Sequence, residues 1–269
     1  MRTILITGAT NGIGLEAAAQ LAEDNKVLLV GRDADRLRKA QQRVPGGDTF
    51  QADFASQASV RQLATALNEK YDHIDVLVNN AGTVYARRTL TEDGIEATFA
   101  VNHLAAFLLT SLIRDRITER IVNVASVAHY NGTMDFDDLG FEHGYQVMRA
   151  YGRSKLANVL FTRSLAKRLA GTGVTVNALH PGAVATGIWS HAPWYARPVL
   201  AIAKRFAMTS PAEGAEHIVH LAVSPEVAGS SGLYFDDDKP REPSALARDD
   251  AVAERLWTES ARLTGTDRP

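Results

Sequence analysis

Tyr151 and Lys155 are the two side chains whose types and spacing most directly suggest chemistry. Apolar residues recur at helical spacing after them, which predicts a helix from about Ala150 to Ala170. Because residues four apart share a helix face, the phenol and the ammonium should project side by side. A neighbouring cation stabilises a phenolate, so we expect a lowered pKa that makes Tyr151 an acid or base near neutral pH.

The same pair also has a structural explanation, in which a surface lysine lies beside a packed tyrosine. Tyr145 is a rival phenol upstream, but no lysine follows it at a distance of four residues. Tyr151 therefore gains a chemical role only if the chain also supplies a cofactor site, a partner hydroxyl and a pocket.

The composition argues against several classes of function. The 269 residues carry a net charge of −2, which gives no reason to expect nucleic acid or an anionic membrane as a partner. The sequence has no cysteine, and therefore no disulfide, thiolate metal site or cysteine nucleophile. No segment approaches about 18 uninterrupted apolar residues, so we expect no membrane anchor and a cytoplasmic location. Without repeats or a linker, we expect one domain over residues 1–269.

A glycine-rich turn follows the first predicted strand, Thr3–Thr7, and precedes a helical stretch from Leu15 to Ala22. Glycines let a backbone approach a pyrophosphate, which then lies at the positive end of the helix. The strand, turn and helix favour nucleotide binding over a turn without a ligand. The cofactor-binding candidates here are Gly8, Thr10, Asn11, Gly12, Ile13 and Gly14.

The second strand, Val27–Val30, ends at Gly31 and Arg32. A dinucleotide-binding domain selective for NAD usually carries an acidic residue at this point. Arginine matches phosphate geometry, so Arg32 favours the 2′-phosphate of NADP. NAD remains the alternative cofactor, because the acidic residue Asp33 follows directly after Arg32. For Arg32 itself, the alternative is a solvated loop arginine that binds no phosphate.

Two further strand ends contribute cofactor-binding candidates. The strand Thr49–Gln51 precedes Asp53 and Phe54, and the Asp53 carboxylate either accepts from an adenine amino group or caps the following helix. The strand Ile74–Val78 leads into residues suited to line a cleft. These residues are Asn80, Ala81 and Gly82.

Asn102 and Ser126 are the polar residues expected near the Tyr151 helix. Asn102 lies within a predicted helix from about Asp93 to Ile113, where asparagine is unfavourable, so it either caps an irregularity or binds water or backbone. Apolar residues cover a broad part of that helix surface, which suggests that the helix packs either against a partner subunit or within the domain. Ser126 ends the fifth strand, at the edge where a parallel sheet places its chemistry.

The remaining segments carry weaker signals. Residues 186–210 are rich in aromatic and apolar side chains, which favours either a lid over a hydrophobic substrate or a core or subunit contact. Asp135, Asp137 and Asp138 lack the pattern of a calcium loop, and His217 and His220 lack further ligands, so we expect no metal site.

The alternation of strands and helices predicts an α/β fold with a doubly wound parallel sheet of about seven strands and helices on both faces. Over nearly its full length the chain resembles the short-chain dehydrogenase/reductase family, which has a single-domain Rossmann fold. The matching positions are Thr7, Gly8, Gly12, Gly14, Asn79, Asn80, Ala81, Gly82, Asn102, Ser126, Tyr151, Lys155, Pro181, Gly182 and Thr186.

Between Asn123 and Arg168 the sequence is most similar to retinol dehydrogenase-like and WW-domain oxidoreductase-like members. The stretches Asp135–Leu139 and Arg149–Asn158 carry this closer resemblance. We expect neither a membrane anchor nor WW modules, so the lipid substrates of those relatives are not carried over.

The resemblance implies hydride transfer between NAD(P)(H), with NADP(H) favoured, and a carbonyl or alcohol carbon. Tyr151 would exchange the proton, Ser126 would orient the same oxygen, Lys155 would hold the nicotinamide ribose, and Asn102 would position a water. The cofactor would also be held by Val124, Pro181, Gly182, Val184 and Thr186. A homodimer or homotetramer is the expectation from the family, and the substrate is a hydrophobic small molecule.

Two other functions fit the same residues. One is a regulatory or scaffold module that binds NADP without turnover, since fold does not fix function. The other is an epimerase or dehydratase that uses the same tyrosine and lysine pair. The complete set Asn102, Ser126, Tyr151 and Lys155 favours the oxidoreductase, because a binding module needs no acid–base group.

Overall fold

The strands are nearly continuous apolar runs, as expected for parallel strands that are covered on both faces. A computed structural model describes residues 1–182 and 210–266 of the chain. In β1, for example, Ile4, Leu5 and Ile6 have no exposed surface. The described strands are β1 (Thr3–Thr7), β2 (Lys26–Gly31), β3 (Thr49–Gln51), β4 (Ile74–Asn79), β5 (Ile117–Val124), β6 (Thr175–His180), β7 (Tyr234–Asp236) and β8 (Lys239–Arg241).

These strands form one sheet in the order β3-β2-β1-β4-β5-β6-β7-β8. Strands β1 to β7 are paired in parallel, and β8 joins β7 as an antiparallel edge. The predicted doubly wound parallel sheet is confirmed, and β8 adds one strand to the expected seven. The strand order reverses between β1 and β4, and their carboxyl ends therefore border the crevice where such sheets bind ligands.

Helices cover both faces of this sheet. One face packs against α1 (Gly12–Leu21), α2 (Ala34–Arg43) and α7 (Pro211–Val223), and the other against α3 (Gln57–Lys70), α5 (Ala105–Ile113) and α6 (Val147–Arg168). The alternation of side chains along a strand divides the core. In β1, Ile4 and Ile6 belong to the first face and Leu5 to the second.

The helix expected from Asp93 begins later, at Ala97. Its first turn, α4 (Ala97–Phe99), is capped by the buried carboxylate of Glu96, which accepts hydrogen bonds of 2.8 Å from the backbone N–H groups of Thr98 and Phe99. Glu96 thus satisfies N–H groups that a helix start leaves without partners, which fixes the boundary. The helix continues through a π-helical turn, Ala100–Leu104, into α5.

The apolar outer surface of α5 and α6 is covered within the chain by the C-terminal helix α8 (Asp250–Thr264). Trp257 packs edge-on against Phe107, with ring centroids 4.9 Å apart, and also contacts Phe161. Burial within the chain therefore explains the apolar breadth of α5 without a partner subunit. By length and composition Ala97–Arg116 could cross a membrane, but 78% of its most apolar window is buried in the fold, as in a core helix.

Candidate active site

The glycine-rich turn between β1 and α1 is shaped by backbone conformations that favour glycine. Gly8 and Gly12 have φ angles of 67° and 55°, in the left-handed region. A Cβ atom at Gly14 would lie 2.3 Å from Nδ2 of Asn80 and 2.5 Å from the Gly8 carbonyl oxygen. The turn therefore leaves no room for side chains at these points. Such a cradle at a helix N-terminus fits the pyrophosphate of a dinucleotide.

Asn80 braces this turn. Its Nδ2 donates to the carbonyl oxygens of Thr7 and Gly8 at 2.9 and 3.3 Å. The Thr7 hydroxyl accepts from the backbone N–H groups of Asn80 and Ala81, both at 3.0 Å. The carboxyl ends of β1 and β4 are therefore joined by side-chain hydrogen bonds, which hold the crevice between them in a fixed shape.

Two arginines line the cleft beyond β2. Asp33 is the N-cap of α2, and its carboxylate accepts at 2.9 Å from the backbone N–H of Arg36. This hydrogen bond is the largest cause that holds the pKa of Asp33 below its ordinary value. Arg36 joins Arg32 in the cleft wall. Sequence reasoning missed Arg36, although its position in the first turn after the strand end was a usable signal.

Asp53 does not cap the helix that follows it. The N-cap of α3 is Ser56, whose hydroxyl accepts from the backbone N–H of Ser59 at 3.3 Å. One carboxylate oxygen of Asp53 accepts from the backbone N–H of Ala55 at 3.0 Å, in a local turn. Asp53 and Phe54 both line the cleft.

A single cleft of about 840 Å³ brings most of the sequence-predicted site together. It extends from the glycine-rich turn to the end of β6. Its predicted members are Gly8, Thr10, Asn11, Gly12, Ile13, Gly14, Arg32, Asp53, Phe54, Asn80, Ala81, Gly82, Val124, Ser126, Tyr151, Lys155, Pro181 and Gly182. Val184, Thr186 and the proposed lid segment up to Met208 lie outside the described residues.

Tyr151 and Lys155 lie at the far end of this cleft from the arginines, and both are buried. The Lys155 Nζ donates to the Val124 carbonyl oxygen at 2.8 Å and lies 5.7 Å from the centre of the Tyr151 ring. The Ser126 hydroxyl accepts at 3.2 Å from the backbone N–H of Ala128, which leaves its own hydrogen free to donate. The Ser126 hydroxyl also acts to lower the pKa of the Tyr151 phenol.

The electrostatics of the pair differ from the sequence-based expectation. Burial raises the pKa of Tyr151 to about 12, and the Ser126 hydroxyl only partly opposes this rise. Burial also lowers the pKa of Lys155 to about 8. The predicted lowering of the Tyr151 pKa by Lys155 was therefore wrong for this structure, because desolvation of the phenolate outweighs its stabilisation. At neutral pH, Tyr151 holds a proton that it can donate.

Asn102 lies in the π-helical turn, behind the cleft wall. Its Oδ1 accepts from the backbone N–H of Thr83 at 2.7 Å, and its Nδ2 donates to the Thr83 carbonyl oxygen and the Ser154 hydroxyl at 3.0 and 2.9 Å. Asn102 thus binds backbone near the site, which is the second of the two alternatives that the sequence left open. A Cβ atom at Gly82 would lie 3.4 Å from Oδ1 of Asn102 and 3.6 Å from Nζ of Lys155, so the two side chains approach the same point.

Two other candidate groups, the Tyr145 phenol and the His217 imidazole, are held by structural contacts. Tyr145 is outside the cleft lining, and its hydroxyl donates to the Tyr85 carbonyl oxygen at 2.9 Å. His217 pairs with Asp238 at 2.7 Å. Within residues 1–182 and 210–266, no three acidic or histidine side chains come together in a way that could hold a metal ion.

The cleft continues past Ser126 and Tyr151 into a region that sequence reasoning missed. Val127 and Met148 line it with 43% and 52% of their surfaces exposed. Tyr85 and Asn131 also line the cleft. Met148 precedes Tyr151 by three residues and so shares its helix face, a signal that the sequence contained. This end of the cleft offers apolar and uncharged surface.

Comparison with known proteins agrees with this geometry. A family model described as short chain dehydrogenase matches residues 2–193. Human retinol dehydrogenase 13 is 40% identical over 100% of this chain and 86% of its own length. A candidate daunorubicin C-13 ketoreductase of Streptomyces sp. (strain C5) is 41% identical over 98% of this chain and 93% of its own length.

A solved structure supports the same relationship. A short chain dehydrogenase from Burkholderia cenocepacia J2315, solved in complex with NADP, is 28% identical with a TM-score of 0.69. It covers 88% of this chain, and this chain covers 96% of it.

The chain belongs to the short-chain dehydrogenase family. It is an NAD(P)-dependent oxidoreductase that acts on CH–OH or C=O groups, and its closer similarity to retinol dehydrogenases is confirmed.

Proposed function

We propose that this enzyme uses NADP(H) to interconvert a carbonyl and an alcohol on a hydrophobic small molecule, with Tyr151 as general acid and base. The observation that carries the proposal is that Ser126, Tyr151 and Lys155 line one end of a cleft whose other end is the glycine cradle. When bound, the nicotinamide cofactor supplies or accepts the hydride.

The three side chains divide the proton chemistry. Tyr151, protonated at neutral pH, donates its phenolic proton to the oxygen of the substrate during reduction and removes it during oxidation. Ser126 donates a hydrogen bond to that same oxygen, because the Ala128 N–H uses only one of its lone pairs and leaves its hydroxyl hydrogen free. Lys155 keeps one N–H on the Val124 carbonyl and directs the others toward the ribose of the cofactor and the phenol.

The preference for NADP(H) is supported by the charges beyond β2. Arg32 and Arg36 present two guanidinium groups to the cleft, and guanidinium groups match phosphate geometry. Asp33 is the acid that could hold ribose hydroxyls in an NAD enzyme, and one of its carboxylate oxygens already accepts from the backbone of α2. Asp53 retains a carboxylate oxygen for the adenine amino group, and Pro181, Gly182, Val184 and Thr186 are proposed to hold the nicotinamide end.

An uncharged, hydrophobic substrate is supported by the exposed Val127 and Met148. The similarity to proteins named as retinol dehydrogenases and as a ketoreductase points in the same direction. Asn102 is proposed to position a water that connects Lys155 with solvent. A single domain, a lid over residues 186–210, a cytoplasmic location and a homo-oligomer complete the proposal.

Replacement of the phenol tests this function. For Tyr151→Phe we expect turnover of a carbonyl panel to fall by about 100-fold to 10,000-fold, because general acid catalysis contributes this much. NADPH binding should be retained. Tyr145→Phe is the matched control, since Tyr145 itself does not line the cleft and its hydroxyl donates to a backbone carbonyl, and this variant should keep most of its activity.

Near-normal turnover by Tyr151→Phe would refute the assignment. Tight NADPH binding without oxidation of NADPH by any aldehyde or ketone would instead favour a regulatory module. A product altered at a sugar nucleotide would favour an epimerase or dehydratase.

A further inference from the structure

His129 lies directly behind Ser126 and has no exposed surface. It belongs to the short 3-10 turn Val127–Asn131, which begins at Ser126 as its N-cap. The Ser126 carbonyl oxygen receives two hydrogen bonds from this one residue: the His129 backbone N–H at 3.0 Å and the His129 Nδ1 at 2.7 Å. Because His129 is buried and does not line the cleft, substrate does not touch it.

The second nitrogen of the ring fixes which tautomer is present. The backbone N–H of Ser244 points to the His129 Nε2 at 3.3 Å, and a backbone N–H only donates. Nε2 is therefore the acceptor, and the proton lies on Nδ1, which donates to Ser126. Burial lowers the pKa of His129 and so keeps the ring neutral, as this arrangement requires.

Aromatic packing holds the ring in place between two elements. The His129 ring lies 4.0 Å from the centre of Tyr130 and 4.6 Å from that of Tyr234 in β7. The Tyr130 hydroxyl donates to the Glu242 carbonyl oxygen at 2.8 Å, close to Ser244 in sequence. The turn after Ser126 is thus tied to the segment that follows β8, more than a hundred residues later in the chain.

The same turn rests on the helix that carries Tyr151. A Cβ atom at Gly132 would lie 2.6 Å from the Gly152 carbonyl oxygen, and one at Gly152 would lie 3.0 Å from the Ala128 carbonyl oxygen. The turn and α6 therefore approach each other as closely as glycine permits, one residue after Tyr151. Any shift of the turn changes the position of Ser126 relative to the Tyr151 phenol.

We propose that His129 is a positioning residue, which holds Ser126 at the geometry needed to hydrogen-bond the reacting oxygen. It does so by joining the Ser126 carbonyl to the Ser244 backbone through a ring packed between Tyr130 and Tyr234. The proposal rests on the proposed role of Ser126. Displacement of a catalytic group by about 1 Å can cost up to about 100-fold in rate, so a restraint of this kind has a measurable effect.

Three substitutions separate the contribution of the aromatic ring from that of its nitrogens. His129→Phe keeps an aromatic ring between the tyrosines but removes both nitrogens, and we expect kcat to fall about 10-fold to 100-fold with NADPH affinity unchanged. His129→Asn places an amide N–H near the position of Nδ1 and should restore most of kcat. His129→Gln places its amide near Nε2 instead, so it should remain slow, and it replaces the phenylalanine variant should that protein not fold.

A double-mutant cycle shows whether the effect passes through Ser126. In a Ser126→Ala background, His129→Phe should cause no further loss of kcat. An equal loss in both backgrounds, or a lower melting temperature with unchanged kcat, would overturn the positioning role. Wild-type turnover by Ser126→Ala would instead refute the proposed role of Ser126, so the two failures can be told apart.

Discussion

The two ends of the cleft are built by different means. The cofactor cradle consists of backbone: Gly8, Gly12 and Gly14 contribute space and N–H groups, and Asn80 braces them. The proposed catalytic end consists of buried side chains from separate elements, among which Tyr151 and Lys155 have pKa values shifted by burial. We infer that the cradle depends on the absence of side chains, and the catalytic end on their desolvation.

The largest expected effect is the pH dependence of the oxidation rate, which is set at the catalytic end. Alcohol oxidation needs the Tyr151 phenolate, and with the pKa of Tyr151 raised to about 12 the phenolate fraction is small at neutral pH. Below that pKa this fraction grows about tenfold per pH unit, so oxidation should accelerate about 100-fold from pH 6 to pH 8. Carbonyl reduction uses the phenol, which stays protonated, and should be flat over the same range.

The titration of Lys155 limits the rates of both oxidation and reduction at high pH. With its pKa lowered to about 8, Lys155 loses its charge above that pH, so reduction should decline and the rise in oxidation should flatten. The measurement is kcat/KM in both directions from pH 6 to 10, with a slow substrate and a folding control at each pH. A reduction rate that rises with pH would contradict the assignment of Tyr151 as the acid.

The second prediction tests the cradle. Gly14→Ala places a Cβ atom against Asn80 and the Gly8 carbonyl, and overpacking of this kind costs about 1–3 kcal/mol. NADPH affinity should fall by about 10-fold to 100-fold, since about 1.4 kcal/mol corresponds to a factor of ten. At saturating NADPH, kcat should stay near the wild-type value.

Gly229→Ala is the control for this substitution, because a Cβ atom there meets nothing within 4 Å. A fluorescence titration with NADPH measures the affinity. If Gly14→Ala lowers the saturated kcat as strongly as the affinity, the two ends of the cleft do not act separately.

The smallest effect is expected at the arginines. Arg32→Ala and Arg36→Ala should each weaken NADPH binding by about tenfold, as expected for loss of a charge-assisted hydrogen bond near the surface, and weaken NADH binding much less. Competition titrations with both cofactors measure the ratio. Equal losses for NADPH and NADH would remove the proposed phosphate-binding role.

Much of the cradle could be predicted because its determinants are local. Gly8 to Gly14 lie between a short strand and a helix, and the conformations they need follow from the residue type itself. The sheet was predictable for a related reason, since buried parallel strands are continuous apolar runs such as Ile4–Ile6. The start of α4 was missed because Glu96, rather than a common capping residue, satisfies its N–H groups.

The sequence predicted the side chains that meet at the proposed catalytic end of the cleft, but it did not predict their electrostatics. The spacing of Tyr151 and Lys155 placed both on one helix face, yet the sequence could not report that burial would raise the pKa of the phenol. His129 was overlooked for the same reason. Its partners Ser126, Ser244 and Tyr234 come from three separate segments.

The sequence by itself therefore predicted the parallel sheet, the glycine cradle and Ser126, Tyr151 and Lys155 as the proposed catalytic residues, because each follows from local patterns or from family motifs. The tertiary structure alone decided which groups are desolvated, that Asp33 caps α2, and that His129 holds Ser126 against α6. These features depend on contacts between residues far apart in the chain. Periodicity and spacing carry no information about such contacts, and desolvation arises only when the chain has packed.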